Sequence, residues 1–550
     1  MPDTIAGLAD EYWQYKLRQS PATAHLLGYH EYDADFDEAS REAEARHVAA
    51  LRDFASRAEA LNTAGMTRDE RVSREVLLYE TTVGADHAES PLAEFDVNHE
   101  VGFQTMLPVI VTQFPVLNAE HAADMVRKYR VIGLRIDEMT ERFREGRAAG
   151  RVAPKLMIER TAEAITSYLG TDPAADRLLN VQVPDDVDEQ QFKGELRDAV
   201  TDAIRPAMER QRALLLDLVD EGRPNEAVGI SNVPGGEDMY RRAVKWHTST
   251  DLTPDEVHQI GLDTIASLND EYRTLGSEVL GTDDLEQIYS QLRDDPELHF
   301  DDGETIRQAS EAAMGKAKAA MGDWFGRLPR ADCLVKETPT GPLAFYQRPA
   351  SDGSRPGTFY INTADPTRWG KFEIEAMSYH EGIPGHHLQL AISGELTDIP
   401  EFRKHARITA YAEGWGLYTE RLADEMGLYS TPLDRIGMLS ADSMRAARLV
   451  VDTGMHAKGW SRQRAIDYVL ENSPLASGTV TGEIDRYIGM PGQALSYMIG
   501  RKEIQRIRRD AEQTMGDRFD IKGFHDTVLG SGLLPLPLLA RLVREWAVAA

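Results

Sequence analysis

At 550 residues the chain has room for roughly two or three lobes, and with 42% hydrophobic and 28% charged residues it sits among soluble globular proteins, away from disordered and membrane-spanning ones. A formal charge of −30, from 61 Lys and Arg against 91 Asp and Glu, repels a phosphate backbone; no long basic stripe offsets it, so nucleic acid is excluded as a partner. The single cysteine, Cys333, cannot form an internal disulfide, which fits a reducing compartment and makes the cytoplasm the expected location.

The N-terminal stretch MPDTIAGLADEYWQYKL carries acidic residues and no basic region followed by an apolar core, so it does not read as a signal peptide. REAEARHVAALRDFASRAEALN (41–62) and AEHAADMVRKYRVIGLRIDEMTERFREG (119–146) repeat apolar residues three and four apart among charges and predict amphipathic helices. Between them, VGFQTMLPVIVTQFPVL (101–117) is apolar but broken by Pro and Gln. Like LLPLPLLARLVREWAVAA (533–550), it falls short of the ~20 uninterrupted apolar residues of a membrane span. Thr253 is placed to cap a helix that Pro254 begins.

From 330 to 365 the pattern turns to β-branched and aromatic residues set off by Gly and Pro, and LAFYQRPASDGSRPGTFYINT predicts a hairpin with strands near 343–348 and 357–363. More helices follow, with turns at 427–432, 473–478 and 489–492. The expected fold is mainly α with a small sheet. A helical N-terminal lobe (1–330) and a hairpin plus helical lobe (331–550) are expected to form one continuous unit.

The sequence SYHEGIPGHHLQL (378–390) places a His-Glu pair shortly before a His-His pair. A zinc hydrolase needs imidazoles or carboxylates on the metal, an open position for water, and a base beside that water; the simplest helical form is H-E-x-x-H. Here the residue four after His380 is Pro384. On a straight helix His386 would be rotated by ~240° from His380, and His387 would lie ~10 Å further along the axis. Pro384 breaks such a helix, because it lacks the N–H that bonds the carbonyl of His380 and its ring collides with that carbonyl. Gly385 then permits a bulge that swings His386 round to His380. Without such a bulge the stretch is a histidine-rich surface turn.

ITAYAEGWGLYTERLADEMGLY (408–429) reads as a helix with Glu413 and Glu420 two turns apart on one face. Glu413 is placed to be a third metal ligand, and Gly414 and Gly416 remove side chains that would hold the two helices apart.

These residues resemble the DUF885 group of bacterial proteins, marked by H-E-x-x-P-G-H-H (His380–His387) followed by E-G-W-x-x-Y-x-E (Glu413–Glu420). RAARLVVDTGMHAKGWSRQRAI (445–466), PGQALSYMIGRKEI (491–504) and FHDTVLGSGLLPLPLL (524–539) extend the likeness over most of the chain. The group is in turn similar to gluzincin metallopeptidases of the oligopeptidase and angiotensin-converting-enzyme type. That resemblance implies a large helical, two-lobed fold around a deep cleft, and a peptidase acting on short peptides. It also favours His386 over His387 as the second ligand, since a Gly precedes that ligand in those enzymes, and it singles out Tyr497 in GQALSY. The Pro-Gly insertion departs from their pattern.

The expected site therefore has His380, His386 and Glu413 holding Zn²⁺ and Glu381 as general base, then acid. Tyr497 or His456 would donate to the oxyanion, and Glu420 or His387 would orient a ligand imidazole. Arg445, Arg448, Arg486 and Arg501 are candidates to clamp a substrate carboxylate, and the strand GTFYINT to offer an edge to an extended substrate. The expected partner is a short peptide or small amide, with no nucleic acid and no membrane, and the protein a monomer or homodimer. The competing expectations are a metal-dependent hydrolase of another amide or ester, and a binding protein that has lost turnover.

Overall fold

The computed structural model describes residues 4–339, 342–349 and 355–549, most of them in helices joined by short turns. Its Cα packing divides the chain into two units. One comprises the residues up to Leu61, Thr81–Arg242 and Met455–Gln463; the other comprises Asn62–Glu80, Ala243–Gly454 and the residues from Arg464 onward. The division thus differs from the single cut at 330 suggested by the onset of the sheet. Residues 243–330 pack with the sheet and the candidate site, because a helix at 303–324 supplies the surface on which they rest.

In the first unit, α1 (Pro21–Leu26) precedes α2 (Arg41–Ala60) and the long α3 (Ala119–Ala148). Each predicted period becomes a helix because its start is also marked: the Ser40 side chain accepts the Ala43 N–H and Asn118 accepts the His121 N–H. Met125, Tyr129, Ile132 and Ile136, spaced three and four apart along α3, are all fully buried.

In the second unit α4 (Pro254–Val279) begins as expected: Thr253 and Glu256 form a reciprocal capping box with Pro254 at the first helical position. The helix α5 (Gly303–Trp324) leads into a sheet of β1 (Cys333–Thr338), β2 (Ala344–Gln347) and β3 (Gly357–Asn362). The predicted hairpin is present, with β2 antiparallel to β3 and Phe345 opposite Tyr360. Residues 350–354 between its strands lie outside the described residues.

The strand β1, which sequence reading does not identify, runs parallel to β3, giving the order β1-β3-β2. This overturns one expectation. GTFYINT was to offer an edge to substrate, but β3 is the central strand and both its edges are already paired. Its Phe359 and Ile361 enter a core with Phe300, Ile306, Trp369 and Ile374, which fixes the sheet against the helices that follow.

Those helices are α6 (Ile374–Glu381), α7 (His386–Glu395), α8 (Thr409–Glu425), α9 (Pro432–Lys458), α10 (Ser477–Gly489) and α11 (Ser496–Met515). Among the described residues no helix is long and apolar enough to cross a membrane.

Candidate metal centre

The helix carrying His380 ends at Glu381, and a new one starts at His386. Between them the chain closes tightly: the His387 N–H donates to the Gly382 carbonyl at 3.0 Å, and a Cβ at Gly385 would lie 1.9 Å from the carbonyl oxygen of His380. Only glycine fits there. The bulge anticipated around Pro384-Gly385 is therefore a complete break into two helices. It is held from α8, whose Trp415 Nε1 donates to the Pro384 carbonyl at 3.0 Å and whose Thr419 hydroxyl donates to the Tyr379 carbonyl at 3.1 Å.

This break brings His380, His386 and Glu413 together. Glu413 Oε2 lies 3.7 Å from His380 Nε2 and 3.4 Å from His386 Nε2, and the two imidazole rings cross nearly at right angles with centroids 4.8 Å apart. Ligands at ~2.0–2.2 Å around a tetrahedral zinc are separated by roughly 3.3–3.5 Å, so the three donors stand close to the spacing of one face of such a site. Two neutral imidazoles and a carboxylate also suit zinc chemically, and His386 Nδ1 is a buried polar atom without a hydrogen-bond partner.

Gly416 is where α8 approaches α6: a Cβ there would meet the His380 ring at 2.8 Å. Gly414 instead opens toward α11, where its Cβ would meet the Gly500 backbone at 2.4 Å. The two glycines thus serve two different helix contacts.

Glu420 accepts from His380 Nδ1 at 2.7 Å, with both side chains buried. That bond fixes the ring and leaves Nε2 as the lone-pair nitrogen facing Glu413. Burial pulls the His380 pKa down, but its bonds to Glu413 and Glu420 outweigh burial and push it up to about 9. Burial pulls Glu413 up, and the hydrogen bonds from the two histidines hold it well below the usual carboxylate range. Without a metal, therefore, the three groups favour a proton shared between histidine and Glu413, which a cation would displace.

Glu381, next to the candidate ligand His380, is 9% exposed. Its carboxylate accepts no hydrogen bond and forms no ion pair among the described residues.

His387 turns away from this group: its Nε2 donates to the Ala331 carbonyl at 3.0 Å and its Nδ1 accepts from the Tyr346 hydroxyl at 2.9 Å. Both ring nitrogens are committed to the sheet side, and burial pushes the pKa down to about 4. Neither a ligand role nor the orienting of a ligand falls to His387.

Tyr497, on the first turn of α11, packs its ring 6.5 Å from that of His380, and burial raises its pKa. His456 belongs to the first unit, where its Nδ1 accepts from the Ile230 N–H at 3.1 Å and its ring lies 5.3 Å from Tyr240.

Of the four arginines, Arg501 pairs with buried Asp442, Arg445 approaches Glu420 at 4.0 Å, and Arg486 pairs with Glu483 at 3.0 Å. Arg448 is distinct. It donates to Tyr487 at 2.6 Å and Glu483 at 2.9 Å and stands 4.4 Å over the Tyr497 ring, while its Nη1 is buried without a partner. Sequence reading does not identify Glu483 and Tyr487, although their spacing of four along α10 puts them on one helical face.

The sequence matches the family described as bacterial protein of unknown function (DUF885) over residues 21–543, and the chain belongs to that family. It is similar in structure to a protein of Colwellia psychrerythraea described as a lipoprotein, at 26% identity and TM-score 0.92, with 99% of each chain covered. It is also similar to a lipoprotein of unknown function from Shewanella oneidensis, at 17% identity and TM-score 0.74, over 98% of this chain and 99% of that one; this likeness concerns the fold alone. No curated protein matches the sequence.

Proposed function

We propose that this DUF885 member is a zinc-dependent hydrolase whose substrates are short peptides. The observation that carries the reading is the convergence of His380, His386 and Glu413 beside the unpaired carboxylate of Glu381. The motif resemblance to gluzincin peptidases, in which a helical shell encloses a cleft and excludes folded proteins, is what narrows hydrolase to peptidase.

Zinc held by His380, His386 and Glu413 supplies Lewis acidity, acidifying water and polarising a carbonyl. The protein's own groups do the rest. Glu381 takes the proton of the attacking water and passes it to the leaving amine, a role that suits a carboxylate with no competing hydrogen bond. Glu420 holds the His380 ring in the tautomer that keeps Nε2 free. Tyr497 donates its hydroxyl hydrogen to the developing oxyanion. Arg448, stacked on the Tyr497 ring, is the arginine assigned among the four to meet a substrate carboxylate.

The test is metal analysis of the purified protein, followed by Glu381→Gln assayed on dipeptides, oligopeptides and non-peptide amides with and without chelator. The variant should keep its metal and lose ~10²–10⁴-fold in turnover. Full activity in the variant, or activity indifferent to chelation, would refute the assignment; turnover of non-peptide amides alone would keep the hydrolase and replace the substrate. The compartment is a separate proposal: the lone cysteine favours the cytoplasm, the Colwellia relative is described as a lipoprotein, and fractionation of native cells decides.

A further inference from the structure

A second cluster of ligating side chains lies within the first unit, with no part in the reading above. His25 on α1 and Asp33 just beyond it are buried, with His25 Nδ1 and Asp33 Oδ1 3.2 Å apart. His30 is part-exposed, and its Nδ1 meets Asp33 Oδ2 at 2.7 Å. One donor atom from each of the three falls within 4.8 Å of the others.

Two facing atoms of this cluster have no hydrogen-bond partner. His25 Nε2 lies 2.9 Å from the Pro115 carbonyl, which can only accept, so the ring hydrogen is on Nε2 and Nδ1 presents a lone pair. That lone pair faces a carboxylate oxygen, and neither atom has a hydrogen-bond partner. Two buried acceptors at 3.2 Å repel each other unless a proton or a metal ion stands between them. Their separation is also close to the ~3.3 Å edge of a tetrahedral zinc site.

The surroundings suit a closed site. The His25 ring is stacked on Phe114 at 4.5 Å. His30 is stacked on His121 at 4.1 Å, and His121 Nδ1 is likewise buried and unpartnered. Lys128 is the opposing feature: its buried Nζ stands 4.5 Å over the Phe114 ring without a hydrogen bond. Burial pushes its pKa down to about 8, against the pull of Asp33.

We propose that His25, His30 and Asp33 form a second divalent-metal site of the zinc class. It is structural in role, fastening α1 and the turn after it to the segment at Pro115 and to α3.

The experiment is zinc uptake by the chelator-stripped full chain, measured by calorimetry and elemental analysis, with four proteins compared. Wild type should take two equivalents, Asp33→Asn one, His380→Ala one and the double variant none. Asp33→Asn is chosen because its amide N–H can bond His25 Nδ1, so the fold keeps a partner where the metal loses a ligand. Zinc should also raise the melting temperature of His380→Ala and leave the double variant unmoved. His30→Gln, at a part-exposed position, is the second probe and should lose the same equivalent. The proposal is overturned if Asp33→Asn and His30→Gln bind as much zinc as wild type. Loss in those variants with none in His380→Ala would instead uphold this site and refute the catalytic one.

Discussion

Gly416→Ala separates what helix propensity wants from what the metal centre wants. In a helix interior, exchanging Gly for Ala stabilises by about 0.5–1 kcal/mol, because the unfolded chain loses freedom. At Gly416 the new Cβ would lie 2.8 Å from both Cε1 and Nε2 of His380, and ordinary contact begins near 3.4 Å, so the ring must retreat by ~0.6 Å. A ligand distance tolerates about ±0.2 Å. The ring cannot slide along its plane either, since Nδ1 is tied to buried Glu420 at 2.7 Å. Disturbing a group that merely orients a ligand costs ~10–100-fold in metal affinity; displacing the ligand itself should cost at least about 100-fold. The control is Gly315→Ala, at an exposed position in α5 with nothing within 4 Å of its Cβ, which should gain the full helix increment and leave metal binding untouched. Zinc affinity by competition with a chromophoric chelator, and urea midpoints in chelator, read the two effects apart. Wild-type zinc affinity in Gly416→Ala would refute the packing argument and His380 as a ligand together.

Glu420→Ala should weaken zinc by about 10–100-fold, through loss of the bond that fixes the His380 tautomer, and the same chelator competition checks it. Tyr497→Phe should leave zinc affinity unchanged and lower kcat by ~10²-fold or more; an effect confined to KM would reassign Tyr497 to substrate binding. His525 gives a pH signature on the far side of α8, where it meets Tyr418 and Trp415. Its ring is fully buried between the Trp324 carbonyl at 2.8 Å and the Tyr418 hydroxyl at 2.9 Å, and burial pushes its pKa from 6.5 down to about 3. A folded-state pKa below the unfolded one means the contribution is complete above about pH 6.5 and declines as pH falls toward 3. Roughly 2 kcal/mol should be gone by pH 5, and His525→Gln should flatten that limb of the urea midpoint against pH; parallel curves would rule the ring out.

Local signals carried well from sequence to structure. Thr253 and Pro254 are a cap and a first helical residue whatever packs against them, and the break at Pro384 follows from one missing N–H and one steric clash. Long-range pairing did not carry. The residues CLVKET of β1 read as polar and unremarkable, because the strand is only half covered and its parallel partner β3 comes 24 residues later, with no turn to announce it. Strand β3 therefore reads as an edge in the sequence, although it is the centre of the sheet. His456 illustrates a further limit: α9 is periodic throughout its 27 residues, yet from Met455 onward it packs in the first unit, and periodicity does not register such a crossing. The arginines could not be ranked either, since their partners Asp442, Glu420 and Glu483 become neighbours only on folding.

The broken motif has a consequence for how the centre assembles. In an uninterrupted H-E-x-x-H both imidazoles ride on one helix, and their separation is fixed by local geometry alone. Here the helix carrying His380 ends at Glu381 and His386 begins another, so the separation of the two imidazoles depends on what holds the four residues between the helices. That holding comes from Trp415 and Thr419 of α8, the helix that also supplies Glu413 and Glu420 and presents Gly416 to the His380 ring. With the proposed ligands, one helix therefore contributes a ligand, orients a second and sets the spacing of the other two. The pair of histidines has no reason to exist as a binding site before α8 docks. Metal affinity and the docking of that helix are accordingly one linked equilibrium, and whatever loosens α8 should lower zinc affinity even where no ligand is touched.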